Sequence, residues 1–194
     1  MGIQLIDTPL PGLKCLQPQV FRDERGFFLE SYSQRTLSGL GLQEVCIQDN
    51  HSRSVRGVLR GLHYQDMSAP MAKLVRCTRG AIFDVAVDLR AGSPTFGRWF
   101  GVELTEENHT QLFVPVGFAH GFAVLSEVAD LQYKCTNYYT PQAEGAIRWD
   151  DAQIGIEWPI RDPILSRRDA AAMSLRDYSH QPAFRWPMAD AARE

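Results

Sequence analysis

The feature that most constrains this chain is a succession of short apolar stretches broken by turn residues, with amphipathic helical patterning scarce before residue 165. Leu74–Thr78 is followed by Arg79-Gly80 and then Ile82–Leu89, which predicts two strands around a tight turn. Phe100–Leu104, Gln111–Val114, Phe122–Leu125 and Leu131–Thr136 continue the series. Strands this short bury their apolar faces only against a second layer, so the pattern predicts an all-β sandwich or barrel. At 194 residues the chain has the length of one domain and is ample for a single core. Two stretches read as helical. Ser33–Leu37 stops at Gly39-Leu40-Gly41; the other begins at Ser166, whose hydroxyl can cap it, with Asp169 three residues on as in a capping box. The tail, peripheral from residue 176, is expected to pack loosely or extend across a neighbour between His180 and Glu194.

Composition removes several classes of function. Apolar residues make up 44% and charged residues 22%, the balance of a folded globular chain. Lys and Arg total 20 against 23 Asp and Glu, a formal charge of -3, which argues against a general nucleic-acid binder. No run approaches the roughly 18 apolar residues that span a bilayer. Met1–Pro18 carries Asp7, Lys14 and three prolines, unlike a signal peptide. The cysteines Cys15, Cys46, Cys77 and Cys135 are isolated and read as small core residues in a reducing compartment. A cytoplasmic protein without a membrane partner is expected. Charge is unevenly spread: Arg53–Arg79 holds six bases and one acid, whereas Gly80–Glu157 holds eleven acids and four bases. A basic first sheet region in an acidic protein suits a small anionic ligand, or else arginines on the solvent face of strands.

Polar functional groups concentrate between Asp49 and Gln65. Strict alternation puts Arg60 and His63 on opposite faces, but Gly61 lies between them, and a bulge there turns both toward one cavity. In Ile82–Leu89, alternation groups Asp84 with Ile82, Ala86 and Asp88, and leaves open whether Asp84 faces solvent or a cavity between sheets. Val114-Pro-Val-Gly-Phe-Ala-His-Gly-Phe122 places a histidine, His120, on a strand after a Pro-x-Gly turn. That resembles the second half of the cupin signature. The first half supplies His-x-His, and here the matching place reads Gly61-Leu-His63-Tyr-Gln65, one histidine short of a ligand set. A mainly β, cupin-type jelly-roll barrel with a few short helices and no metal is therefore expected, leaving His63 and His120 for acid–base or hydrogen-bonding work.

Nine segments in register make the resemblance specific. They are Asp23-Glu-Arg-Gly-Phe-Phe-Leu-Glu30, Gln48-Asp-Asn-His51, Gly57-Val-Leu-Arg-Gly-Leu-His-Tyr-Gln65, Lys73-Leu-Val-Arg76 and Phe83-Asp-Val-Ala-Val-Asp-Leu-Arg90. Gly117-Phe-Ala-His-Gly-Phe122, Tyr133-Lys-Cys-Thr-Asn-Tyr-Tyr139, Glu144-Gly-Ala-Ile-Arg-Trp149 and Pro163-Ile-Leu-Ser166 follow. From about residue 5 to 175 the chain resembles the dTDP-4-dehydrorhamnose 3,5-epimerase family. The resemblance implies a jelly-roll homodimer acting on a dTDP-linked 4-keto-6-deoxyhexose without metal or organic cofactor, and an N-terminal segment, within residues 1–50, that contributes to the partner's site.

The resemblance also assigns residues. His63 matches the base, suited by a side-chain pKa near working pH. Asp169 matches the carboxylate that orients it. Lys73 falls beside the sugar's keto oxygen, with His120 in the same part of the site, and Tyr133 matches the acid, a phenol whose pKa a neighbouring cation can lower. Arg25, Phe27, Glu30, Gln48, Asn50, Arg60, Asp84 and Arg168 match substrate-binding positions, the arginines suiting a diphosphate. Tyr139 matches the residue stacked on thymine, and Glu144 another substrate contact. Ala72 and Val116 depart from the family's common Gly and Glu and are expected to border the sugar pocket. The closest competing function is epimerisation at C3 or C5 alone. A metal-dependent cupin oxygenase and a non-catalytic binding jelly roll are the alternatives of other classes.

Overall fold

The structure, a computed structural model, describes residues 2–187. In chain order it contains β1 (Ile3–Asp7), β2 (Lys14–Pro18), β3 (Val20–Asp23), β4 (Gly26–Leu29), α1 (Gln34–Gly39), β5 (Gln48–Val55), β6 (Leu59–Gln65), β7 (Lys73–Arg79) and β8 (Ala81–Asp88). There follow β9 (Arg90–Ala91), β10 (Trp99–Thr105), β11 (Gln111–Val114), β12 (Phe118–Val124), β13 (Val128–Cys135), β14 (Glu144–Ala146), α2 (Arg167–Ala170), α3 (Leu175–His180) and β15 (Phe184–Arg185). One six-stranded sheet runs β1-β2-β11-β7-β13-β5 and one five-stranded sheet β10-β8-β12-β6-β14. The expected mainly β jelly roll is the fold observed.

The core lies between these sheets. Val75, Cys77, Leu112 and Leu131 of the first meet Ile82, Ala86, Leu104, Phe122 and Val124 of the second. Burying a side chain of the size of Leu or Phe stabilises by about 1.5–3 kcal/mol, so this seam is the main cohesive term. The outer face of the five-stranded sheet is covered as well: Leu62, Val85, Val87 and Ala119 pack beneath Ile147, Ile154, Leu175, Tyr178 and Phe184. β8 and β12 are thus covered on both faces, which is why their sequences are nearly continuously apolar. α1 and the residues after it cover the outer face of the six-stranded sheet, Leu37 and Leu42 packing with Ile3, Leu16, Leu74 and Phe113.

The structure refines three expectations. β7 and β8 are the predicted strands around a tight turn, separated by Gly80 alone, but they do not pair; the turn is a corner between the two sheets. Gly80 has φ +74°, and a Cβ there would lie 2.2 Å from the Val128 carbonyl oxygen, so the corner needs glycine. The strand around Phe122 begins at Phe118, directly after the Pro115–Gly117 turn, and so includes His120. The tail is docked through Phe184, which is 1% exposed, while residues 188–194 lie outside those described. Phe184 and Ala183 donate their backbone N–H groups to the Tyr178 hydroxyl, which donates to the Leu89 carbonyl at 2.9 Å.

The helix at Ser166 forms as a single turn, the Ser166 hydroxyl accepting the Asp169 N–H at 3.1 Å. Cys15, Cys77 and Cys135 are buried and free, and Cys46 is half-buried. Burial pushes the Cys77 thiol up to about 11. Among the described residues no helix is long and apolar enough to cross a membrane.

Candidate active site

Between the sheets lies a cavity of about 570 Å³, a size suited to a small-molecule ligand. Arg60 and His63 of β6 and His120 of β12 line one wall. Gln48 and Asn50 of β5, Lys73 of β7 and Tyr133 of β13 line the facing wall, while Tyr139, Glu144 and Arg168 close one side.

Gly61 makes the first wall. β6 pairs with β12 so that His63 faces His120 and Arg60 faces Phe122, with a register shift between them. Gly61 has φ +126°, and a Cβ there would lie 2.5 Å from Gly121 Cα and 2.9 Å from the His120 carbonyl oxygen. Only glycine lets the strands approach this closely, and the irregularity turns Arg60 and His63 into the same cavity.

Each histidine on this wall is paired with a carboxylate. His63 Nε2 lies 2.6 Å from Asp169 Oδ1. An ionised carboxylate only accepts, so the proton of this bond sits on Nε2 and leaves Nδ1 of the neutral ring as its basic atom. Burial pushes the Asp169 carboxyl up, but its bonds to His63 and Ser166, with the charges of His63 and Arg168, outweigh that and hold it below the usual carboxylate range. Asp169 therefore meets His63 through its carboxylate and the helix start through its backbone N–H. Arg168 Nη2 approaches the same His63 nitrogen at 2.9 Å and is ion-paired with Glu144, whose Oε2 also accepts the Tyr139 hydroxyl at 2.7 Å. His120 Nε2 lies 2.9 Å from Asp84 Oδ1. Asp84 is fully buried and faces inward, but it meets the cavity only through His120.

On the facing wall, Lys73 Nζ stands 5.8 Å from the centroid of the Tyr133 ring. Burial draws the Lys73 ammonium below the ordinary lysine value, while Cys135, Glu144 and Asp84 pull it back. The expected lowering of the Tyr133 phenol is not found. Burial raises it, and the opposing pull of Arg60 is smaller, so the phenol stays protonated at neutral pH.

Four of the anticipated substrate residues do not line this cavity: Asp84 stands behind His120, and the other three lie elsewhere. Arg25 is paired with Asp23 on the exposed β3–β4 hairpin, Phe27 packs against His109 with the rings tilted and their centroids 4.7 Å apart, and Glu30 accepts from the Thr36 hydroxyl at 3.0 Å. Ala72 and Val116 do not border the cavity either. Ala72 is fully buried, and Val116 packs against the clusters outside the two sheets. Of the basic run, Arg60 and Lys73 face the cavity, whereas Arg53 pairs with Asp130 and Arg76 bonds Gln132. Gln65 and Met71 line the cavity although neither stood out as functional. Gln65 was visible as the residue at the missing histidine's place; a methionine in a loop carries no signal of its own.

A carboxylate-paired imidazole and a protonated phenol on facing walls, with a lysine near the phenol, form a set able to take and return protons on two sides of a bound molecule, the equipment of a proton-moving isomerase. The family model for dTDP-4-dehydrorhamnose 3,5-epimerase matches residues 7–177, and the chain belongs to that family. It is 56% identical over 173 residues to the dTDP-4-dehydrorhamnose 3,5-epimerase of Salmonella typhimurium, covering 88% of this chain and 94% of that protein. It is also similar to the 3,5-epimerase of Legionella pneumophila in complex with dTDP-4-keto-L-rhamnose, at 48% identity and a TM-score of 0.90, covering 95% of this chain and 98% of that one. A 3′-monoepimerase of Streptomyces bikiniensis in complex with dTDP-quinovose is similar at 35% identity, with a TM-score of 0.85 and coverage of 89% and 88%.

Proposed function

We propose that this chain epimerises a dTDP-linked 4-keto-6-deoxyhexose at C3 and C5, giving dTDP-4-dehydro-L-rhamnose with its own side chains as acid and base. One observation carries the reading: the Asp169-backed His63 and the protonated Tyr133 open on one cavity from opposite sheets. His63 Nδ1 takes the proton from a carbon next to the ketone. The C–H electron pair becomes an enolate whose charge lies on the keto oxygen. Lys73 opposes that charge, which is absent in the ground state, so it favours the transition state. The Tyr133 hydroxyl then returns a proton to the opposite face of the same carbon, and solvent resets both groups. His120, fixed by Asp84, adds a donor or acceptor to the sugar pocket.

Arg60 and Arg168 suit the diphosphate, Gln48 and Asn50 offer polar contacts, and the half-exposed Tyr139 at the cavity's side suits a planar base. In the free protein Glu144 holds Arg168 as a phosphate would. We assign Arg25, Phe27 and Glu30 to the cavity of a second copy in a homodimer. Their absence from the chain's own cavity supports this, as do the exposed Phe21, Phe27 and Phe28 on the hairpin and the open edge of β5. Four free cysteines suit the cytoplasm.

The test is NMR of dTDP-4-dehydro-6-deoxyglucose with enzyme in deuterated water, following H3 and H5 separately. Exchange at both, abolished by His63→Ala, is the expected result. With Tyr133→Phe, exchange continues but inversion slows by about 100-fold or more, since the enolate is reprotonated from the His63 face. Exchange at one carbon identifies a single-site epimerase; no exchange at all overturns the enzymatic reading.

A further inference from the structure

Gln65 is 6% exposed, and every polar atom of its side chain is used. Its Oε1 accepts the Thr140 N–H at 2.7 Å, and its Nε2 donates to the Ala69 carbonyl at 2.8 Å and the Tyr138 carbonyl at 3.2 Å. One partner is a donor and two are acceptors, so the amide's orientation is dictated by the backbone around it. The bonds reach two loops: residues 66–72, which carry Met71 and lead into Lys73, and residues 136–143, which carry Tyr139. The loops are also tied by Ala72 with Thr136 and Pro70 with Asn137, nearer β7 and β13, and at the β6 end by the Asp66 N–H, which donates to the Ala143 carbonyl at 2.8 Å. Gln65 is the side chain that grips the residues on both sides of Tyr139. The N–H of Tyr139 itself goes to Gln48 Oε1 at 3.1 Å.

This matters because the Tyr139 ring has little packing to hold it. Tyr139 is 53% exposed, so its place is set by its backbone together with the bond its hydroxyl donates to Glu144 Oε2. We propose that Gln65 is a positioning residue for nucleotide recognition, fixing Tyr139 as a rigid aromatic platform and setting the distance from it to the Met71 loop. The inference rests on the reading of Tyr139 as the base platform. Rigidity matters energetically, since a ring that must be ordered on binding gives up part of its stacking energy.

The experiment measures calorimetric affinity for dTDP and for inorganic pyrophosphate in the full chain, its Gln65→Leu and Tyr139→Ala variants, and the double variant. Gln65→Leu is expected to weaken dTDP about tenfold and leave pyrophosphate within about twofold, with KM raised about tenfold and kcat within about threefold. In the Tyr139→Ala background Gln65→Leu adds no further loss, because its effect runs through that ring. Gln65→Glu is isosteric, keeps the acceptor for Thr140 and loses both donations; it gives the same pattern if Gln65→Leu fails to fold. Equal weakening of dTDP and pyrophosphate, unchanged dTDP affinity, or losses that multiply in the double variant overturn the inference. If the unaltered chain binds pyrophosphate but not dTDP, the nucleotide reading fails, and this inference with it.

Discussion

Replacing Asp169 by Asn tests how the cavity makes His63 a base. Asn is isosteric and can still accept the Nε2–H across the observed 2.6 Å, so the ring keeps its place. The negative charge is what disappears. When His63 takes a proton from carbon it becomes an imidazolium beside an Asp169 side chain 3% exposed, itself 22% exposed. For unit charges about 4 Å apart at an effective dielectric of roughly 20, the attraction is about 4 kcal/mol. At about 1.36 kcal/mol per tenfold, Asp169→Asn should lower kcat roughly a thousandfold. Arg168, 2.9 Å from the same nitrogen, remains and acts in the same direction. KM should change less than about threefold, since the charge acts on the transition state. The assay is the initial rate of H3 and H5 exchange in deuterated water at saturating substrate. A second reading comes from acid stability. Asp169 is held below its unfolded value, so the pair stabilises the fold above about pH 4 and the gain is lost as pH falls through the folded value. The Tm difference between wild type and Asp169→Asn should therefore shrink from pH 6 to pH 3. A kcat within tenfold of wild type in a folded variant would refute the charge argument.

Gly61→Ala places a Cβ 2.5 Å from Gly121 Cα at a φ of +126°, so backbone must move; about 3 kcal/mol or more of stability is lost, read in urea melts, and activity falls with it as Arg60 and His63 shift. An unchanged midpoint would mean the strands do not pack so tightly. Phe184→Ala removes a ring 1% exposed and should cost about 3–5 kcal/mol while leaving kcat of the folded protein near wild type; unaltered stability would show the tail is not docked.

Much of the architecture was legible because local chemistry and tertiary role agree. The turn ahead of β12 and the Ser166 cap act within a few residues of themselves. Gly61 was legible because a glycine between polar residues of a strand marks a bulge or a close approach of backbones, and here it makes both. β5 was harder to see as a strand. One face, with Gln48 and Asn50, lines a polar cavity and the other, with Asp49 and Arg53, points outward, so no apolar alternation marks it. The lowered phenol expected of Tyr133 failed because a nearby cation can be inferred from a sequence, whereas the burial that overrides it cannot. Arg25, Phe27 and Glu30 lie apart from the cavity because a motif orders residues along a chain and does not say where the fold carries them.

The sequence by itself determined the strand-rich class, the glycine turns, the helix caps and the set of groups able to do proton chemistry. These follow from backbone sterics and hydrogen bonds that span a few residues. Only the tertiary structure decided that β7 and β8 part into different sheets, that the tail closes over β8, and that His63 meets a carboxylate 106 residues away. Those outcomes depend on which apolar faces find each other. Packing also sets how far each charged group is removed from water, and so which of them take up or hold a proton near neutral pH.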